Sequence, residues 1–184
     1  MSSANLPTAS SKPHSGIQAM GTQQYLTFTL GNELFALPIA PIREIIEFPG
    51  LTEIPLTPAF LRGVINLRGA VVPVIDLSVR FGRTATEIAR RTCIVIVEVN
   101  IEDSVHPLGV IVDTVSEVLE VDPNQIEQRP GFGAGLRADF VAGMLNLGGR
   151  FVVVLDVSNV LSPDELENLI SAAHVAPGPA QGTH

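Results

Sequence analysis

With 184 residues and 46% apolar side chains the chain can bury one large or two small cores, while 16 Gly and 14 Pro argue against a helical bundle. Only 16% of residues are charged, against about 25% in ordinary soluble domains, and the mean hydropathy is +0.35, so apolar surface is left for a partner to cover. A net charge of −8 opposes binding to nucleic acid or anionic membranes, and a single cysteine allows neither an internal disulfide nor a thiolate zinc site.

Residues 1–22 are rich in Ser, Ala, Thr, Pro and Gly with one charge, Lys12, which is the composition of a disordered tail. Strands at 25–30 and 34–39 flank Gly31-Asn32, a two-residue hairpin signal. A third strand at 42–48 alternates through Ile42, Glu44 and Ile46. A Pro-rich loop leads to strands 63–67 and 70–77, joined by a tight turn. Strands 92–99 and 108–119 are expected to form a second hairpin around a longer acidic loop, and strands 140–147 and 151–157 close the set. Ser162-Pro163-Asp164-Glu165 supplies an N-cap, a proline at the first helical position and a capping box. Leu166, Leu169, Ile170 and Ala173 then mark the buried stripe of a helix over 163–173. Residues 175–184 form a second disordered tail. No stretch approaches the ~18 apolar residues of a membrane span, and no charged segment followed by an apolar one marks a signal peptide, so a cytoplasmic location without membrane insertion is expected.

The strongest internal signal is a repeat. FLRGVINLRGAVVPVIDLS (residues 60–78) aligns with FVAGMLNLGGRFVVVLDVS (140–158), sharing Phe60/Phe140, Gly63/Gly143, Asn66/Asn146, Gly69/Gly149 and Asp76/Asp156 among others. Upstream, EIIE at 44–47 matches EVLE at 117–120. Repeat 1 covers about 23–83 and repeat 2 about 91–161, together with the helix a domain of residues 23–174. Five short strands per copy suit two small closed barrels packed on each other. Shared residues are assigned to the barrels themselves, Gly69 and Gly149 to turns with positive φ and Asp76 and Asp156 to strand ends. Arg68 differs, because its counterpart is Gly148; an arginine at a hairpin tip where the sister copy has glycine is free of a folding duty. Arg62 against Ala142 invites the same argument.

No catalytic constellation is present. His14 and His184 lie in the tails, His106 in a loop and His174 at the helix end, and none has metal-pair spacing. No nucleophile elbow or P-loop occurs, the Gly131–Gly135 run follows Arg129-Pro130 rather than a strand, and no cofactor is called for. Cys93 sits in an apolar strand and reads as a small hydrophobe. Phe132, an aromatic between glycines beside a proline, is either tucked onto its own barrel or an exposed anchor for a partner. These features describe a binding module; a ligand-binding or catalytic β-barrel would need a convergent polar pocket.

YLTFTLGNELFALPI, the following REI, TPAFLRGVINLRGAVVPVIDL and LGVIVDTVSEVLEV resemble the CheW family of chemotaxis coupling proteins over residues 22–172. The resemblance implies an all-β fold of two intertwined five-stranded SH3-like barrels with a C-terminal helix. It implies a non-enzymatic adaptor that links the cytoplasmic tips of chemoreceptors to the regulatory domain of the histidine kinase CheA, in rings that also hold other adaptor copies. A coupling protein of a non-flagellar pathway, such as one serving pilus motility, would share the fold. By the same resemblance Glu44 and Arg68 lie at a receptor-binding groove lined by Ile39, Ile42, Cys93 and Val115, and Phe132 contacts the kinase. Two departures stand out: Pro38 and Pro41 put the hydrogen bonding of their strand in doubt, and the hairpin at 100–106 is extended.

Overall fold

The computed structural model describes residues 21–127 and 140–175; Phe132 and the expected tails, apart from Gly21, Thr22 and Val175, lie outside them. Eleven strands are present among the described residues: β1 Gln23–Leu30, β2 Glu33–Pro38, β3 Ile42–Glu47, β4 Leu61–Leu67, β5 Ala70–Asp76, β6 Cys93–Ile101, β7 Ser104–Val112, β8 Thr114–Val121, β9 Ile126–Glu127, β10 Val141–Leu147 and β11 Arg150–Leu155. Two one-turn helices, α1 Leu77–Arg80 and α2 Val157–Val160, follow β5 and β11, and α3 Pro163–Val175 closes the described chain. The strands form a six-stranded sheet ordered β8-β1-β2-β11-β10-β9 and a five-stranded sheet ordered β3-β6-β7-β5-β4.

The two sequence repeats are therefore not the two structural halves. The leading hairpin of repeat 1, β1–β2, is inserted between β8 and β11 of repeat 2, and the leading hairpin of repeat 2, β6–β7, between β3 and β5 of repeat 1. This exchange explains the hydrophobicity. The inner strands of each sheet are largely buried on both faces, so a strand such as β6 is apolar on successive residues rather than alternate ones. One face of the five-stranded sheet packs a small cluster of Ile65, Val72, Val74, Ile94, Ile96 and Ile111. The six-stranded sheet has the equivalent cluster, in which Leu145, Val152 and Val154 stand where the repeat has Ile65, Val72 and Val74. The other faces meet in a larger shared core containing Phe28, Phe35, Val95, Val97, Val110 and Phe140, under α3 residues Leu166 and Leu169.

Some expectations are corrected. The segment 108–119 is not one strand: it breaks at Asp113, whose backbone N–H donates to Thr29 O and whose carboxylate accepts from the Gly31 N–H at 2.6 Å, and the chain crosses from one sheet to the other there. The expected long acidic loop is a two-residue turn, Glu102-Asp103, both with positive φ (46° and 68°). The prolines do not disrupt β2. Pro38 pairs with Tyr25, its other flank lies beyond the last residue paired with β11, and the Ile39 N–H donates to Gln24 O. Asp76 and Asp156 cap helices rather than strand ends, each accepting from the N–H of the serine two residues on.

The shared Asn and Gly of N-L-x-G also find their reason. In both copies the two turn residues have positive φ, Arg68 52° and Gly69 89°, Gly148 59° and Gly149 95°. The asparagine side chain accepts from the second glycine N–H, Asn66 at 3.0 Å and Asn146 at 2.9 Å. A two-residue turn of this hand matches strand twist.

Candidate binding site

The β3 strand is an edge, and its residues alternate half-buried Ile42, Glu44 and Ile46 with exposed Arg43, Ile45 and Glu47. The register against β6 skips between Ile42 and Glu44, so a bulge at Arg43 turns Ile42 toward the shared core and Glu44 toward the smaller cluster. The other edge of that sheet is β4. From the β4–β5 turn Arg68 reaches Glu44 in a two-pronged pair, Nη1 to Oε2 at 2.5 Å and Nη2 to Oε1 at 2.8 Å. The pair thus joins the two ends of the five-stranded sheet. The Arg68 side chain is 70% exposed.

The turn places that arginine in a backbone conformation its glycine counterpart adopts without strain. A residue held there against its own conformational preference, exposed and paired at an edge, contributes chemistry to the surface rather than to the core. The hydrogen bond from Arg68 is the main reason the Glu44 carboxyl lies below its ordinary range; partial desolvation opposes it, and the charges of Arg68 and Arg43 add to it. Glu44 is therefore an anion at neutral pH.

The predicted apolar lining residues share one environment. Ile39, Ile42, Cys93 and Val115 are all half-buried and all pack against the shared core. Ile39 and Ile42 bracket a turn in which the Ile42 N–H donates to Ile39 O. Cys93 begins β6 opposite Glu47, and Val115 lies in β8 opposite Phe28. Burial, with the charge of Glu47 adding to it, pushes the Cys93 thiol above its ordinary pKa, so it is a neutral apolar group at physiological pH. Arg62 is a correction. Its Nη1 lies 2.5 Å from an oxygen of the fully buried Asp76, which also accepts from the Thr86 N–H and hydroxyl, so this arginine serves the fold.

The edge strands hold two residues that pattern reading passed over. Ile45 and Val118 are exposed to 41% and 48%. They occupy equal positions in EIIE and EVLE, on β3 and β8, the end strands of the two sheets. That alignment was the available signal: an apolar residue kept in both copies yet spared by both cores belongs to neither.

The comparisons with known proteins identify the family. The family model described as "CheW-like domain" matches residues 24–165. The chain is 36% identical to the chemotaxis protein CheW of Klebsiella aerogenes over 144 residues, which span 78% of this chain and 84% of that protein. It is 34% identical to the chemotaxis protein CheW of Treponema pallidum over 148 residues, 79% of this chain and 86% of that one. The crystal structure of the scaffolding protein TtCheW from Thermoanaerobacter tengcongensis superposes with a TM-score of 0.70 at 33% identity, covering 77% of this chain and 88% of that chain.

Proposed function

The chain belongs to the CheW family and is a chemotaxis coupling adaptor, and from that premise we propose which surface it offers to which partner. It works without catalysis, in the cytoplasm, by holding the helical hairpin tip of a chemoreceptor on one side and the regulatory domain of the kinase CheA on another. The receptor helix lays its apolar stripe on Ile39, Ile42, Cys93 and Val115, with Ile45 and Val118 along the strand edges. Glu44 and Arg68 stand at the rim of that surface. As an exposed, water-screened pair they fix the register of the helix more than they add affinity. The single observation that carries this reading is the Arg68–Glu44 pair, fully formed on an exposed turn whose sister turn is Gly-Gly. Phe132 is assigned to the kinase side, from the family resemblance of its position.

The test is a reconstitution of full-length protein with receptor and CheA, comparing Arg68→Glu and Phe132→Ala. Arg68→Glu, which turns the rim pair into two repelling carboxylates, is expected to weaken receptor capture by roughly tenfold or more. It should leave CheA capture and the urea midpoint unchanged. Phe132→Ala is expected to do the reverse to the two partners. Equal losses of both partners in the first variant, or a lowered urea midpoint, would sink the assignment of Arg68 to the receptor surface.

A further inference from the structure

Arg83, Arg90 and Arg91 lie in the segment that links the two repeats. That segment has neither helix nor strand at 82–92, yet it is tied down along its length. The Arg83 N–H donates to Ser78 O; Thr86 gives its N–H and its hydroxyl to Asp76; the Thr92 hydroxyl accepts from the Ala89 N–H. The loop forms one wall of a cleft of about 700 Å³, whose opposite wall is Gly31 of the β1–β2 turn and the Asp113–Thr114 corner. The cleft therefore sits where the two sheets meet, and its volume is that of a small-molecule site.

Its charges are unevenly satisfied. Eight arginines fall among the described residues, and five of them hold a carboxylate within 4.0 Å: Arg43, Arg62, Arg68, Arg80 and Arg83. The other three are Arg150 and the neighbours Arg90 and Arg91, and of these only Arg90 and Arg91 line the cleft. The acidic lining groups are Asp113, which already accepts the Gly31 N–H, and Glu87; Arg83 is taken by Glu33. In a chain of net charge −8, this cleft holds two adjacent exposed guanidinium groups without a carboxylate partner, beside Glu87, which has no cation partner among the described residues.

We propose that this cleft binds a small polyanion, bearing phosphate or carboxylate groups, through Arg90 and Arg91. Guanidinium groups bind either anion with paired N–H donors, and a second anionic group relieves the repulsion between neighbouring cations. The tied-down backbone lowers the ordering cost. Ala85 and Ala89 add apolar lining for the body of the ligand. The site borders the proposed receptor surface: Thr92 and Thr114 line the cleft, while the next residues, Cys93 and Val115, pack against the shared core, and the Cys93 thiol donates to Arg91 O.

The experiment is an amide chemical-shift titration of the full chain with pyrophosphate and, separately, with citrate, at fixed ionic strength. Saturable one-to-one binding of at least one probe is expected, with shifts gathered at Gly31, the 83–92 segment and Asp113. The double variant Arg90→Gln/Arg91→Gln should raise Kd roughly tenfold or more, and Arg150→Gln should leave it within about twofold. Pyrophosphate binding alone would assign phosphate chemistry, citrate alone carboxylate chemistry. Unsaturable shifts, shifts centred elsewhere, or an equal loss in Arg150→Gln would overturn the site.

Discussion

Gly63→Ala is expected to destabilise the protein by about 2–4 kcal/mol, the sum of backbone strain and overpacking. The backbone of Gly63 has φ +153°, and a Cβ there would stand 2.5 Å from Thr52 O and 3.1 Å from Leu51 Cβ. Those atoms cannot yield cheaply. Thr52 is bridged to Val64 by two backbone hydrogen bonds, at 3.0 and 2.8 Å, and a methyl group would break the bridge. Gly143 repeats the arrangement, with a Cβ falling 2.7 Å from Glu127 O where β9 crosses. Gly69→Ala is the control. It shares positive φ but meets nothing within 4 Å, so it carries strain alone, at most about 1–2 kcal/mol. Urea denaturation of both variants decides the matter, and equal losses would show that the crossing segment is not the constraint.

Arg80→Met is expected to cost about 2–3 kcal/mol at pH 7, because the guanidinium joins parts that are otherwise far apart in sequence. Arg80 lies 4.8 Å from the ring centre of Phe60 and 5.3 Å from that of Phe140, the two phenylalanines that correspond in the repeat. Its Nε donates to Val160 O, and Nη2 to Glu165 Oε1, both at 2.8 Å. The side chain thus fastens α2 and α3 to the middle of the molecule, next to a row of contacting rings, Phe28, Phe35, Phe81 and Phe140. Methionine keeps the apolar stem and loses the rest.

The same pair sets a pH dependence. Burial alone would raise the Glu165 carboxyl, but the Ser162 N–H and the Arg80 charge more than reverse this, and its pKa lies below the ordinary value. A carboxyl lowered on folding stabilises the native state fully above its unfolded pKa, about 4.3, and the contribution fades as pH falls through the folded value. The penalty of Arg80→Met should therefore shrink between pH 7 and pH 3. A penalty of equal size at both pH values would mean that the ion pair contributes nothing and that ring packing accounts for the loss.

The repeat and the alternation of β3 were legible in sequence because they are local patterns, and Arg68 against Gly148 was legible because two copies invite comparison. The same comparison misled at Arg62. Asp76 and Asp156 are identical letters, but only Asp76 is fully buried, beneath the 82–92 segment whose Thr86 donates to it twice. Its counter-charge is therefore needed in one copy alone. Ile45 and Val118 were passed over because an exposed apolar residue in a strand looks like any buried one until the sheet order makes it an edge. The break at Asp113 was missed because both halves of 108–119 are apolar, and what separates them is a hydrogen bond to a turn 82 residues away.

The exchange of hairpins has a consequence for how such a chain is made. Each sheet is complete only when strands from both repeats have left the ribosome; β1 waits for β8, whose paired residues come 85–98 positions later, and β2 for β11, 118 positions later. Neither repeat is a folding unit, and during synthesis β1–β2 stands with both flanks unpaired. Cut the chain between the repeats and each half loses the hairpin that the other inserts into its sheet, so the two halves are expected to be stable only together.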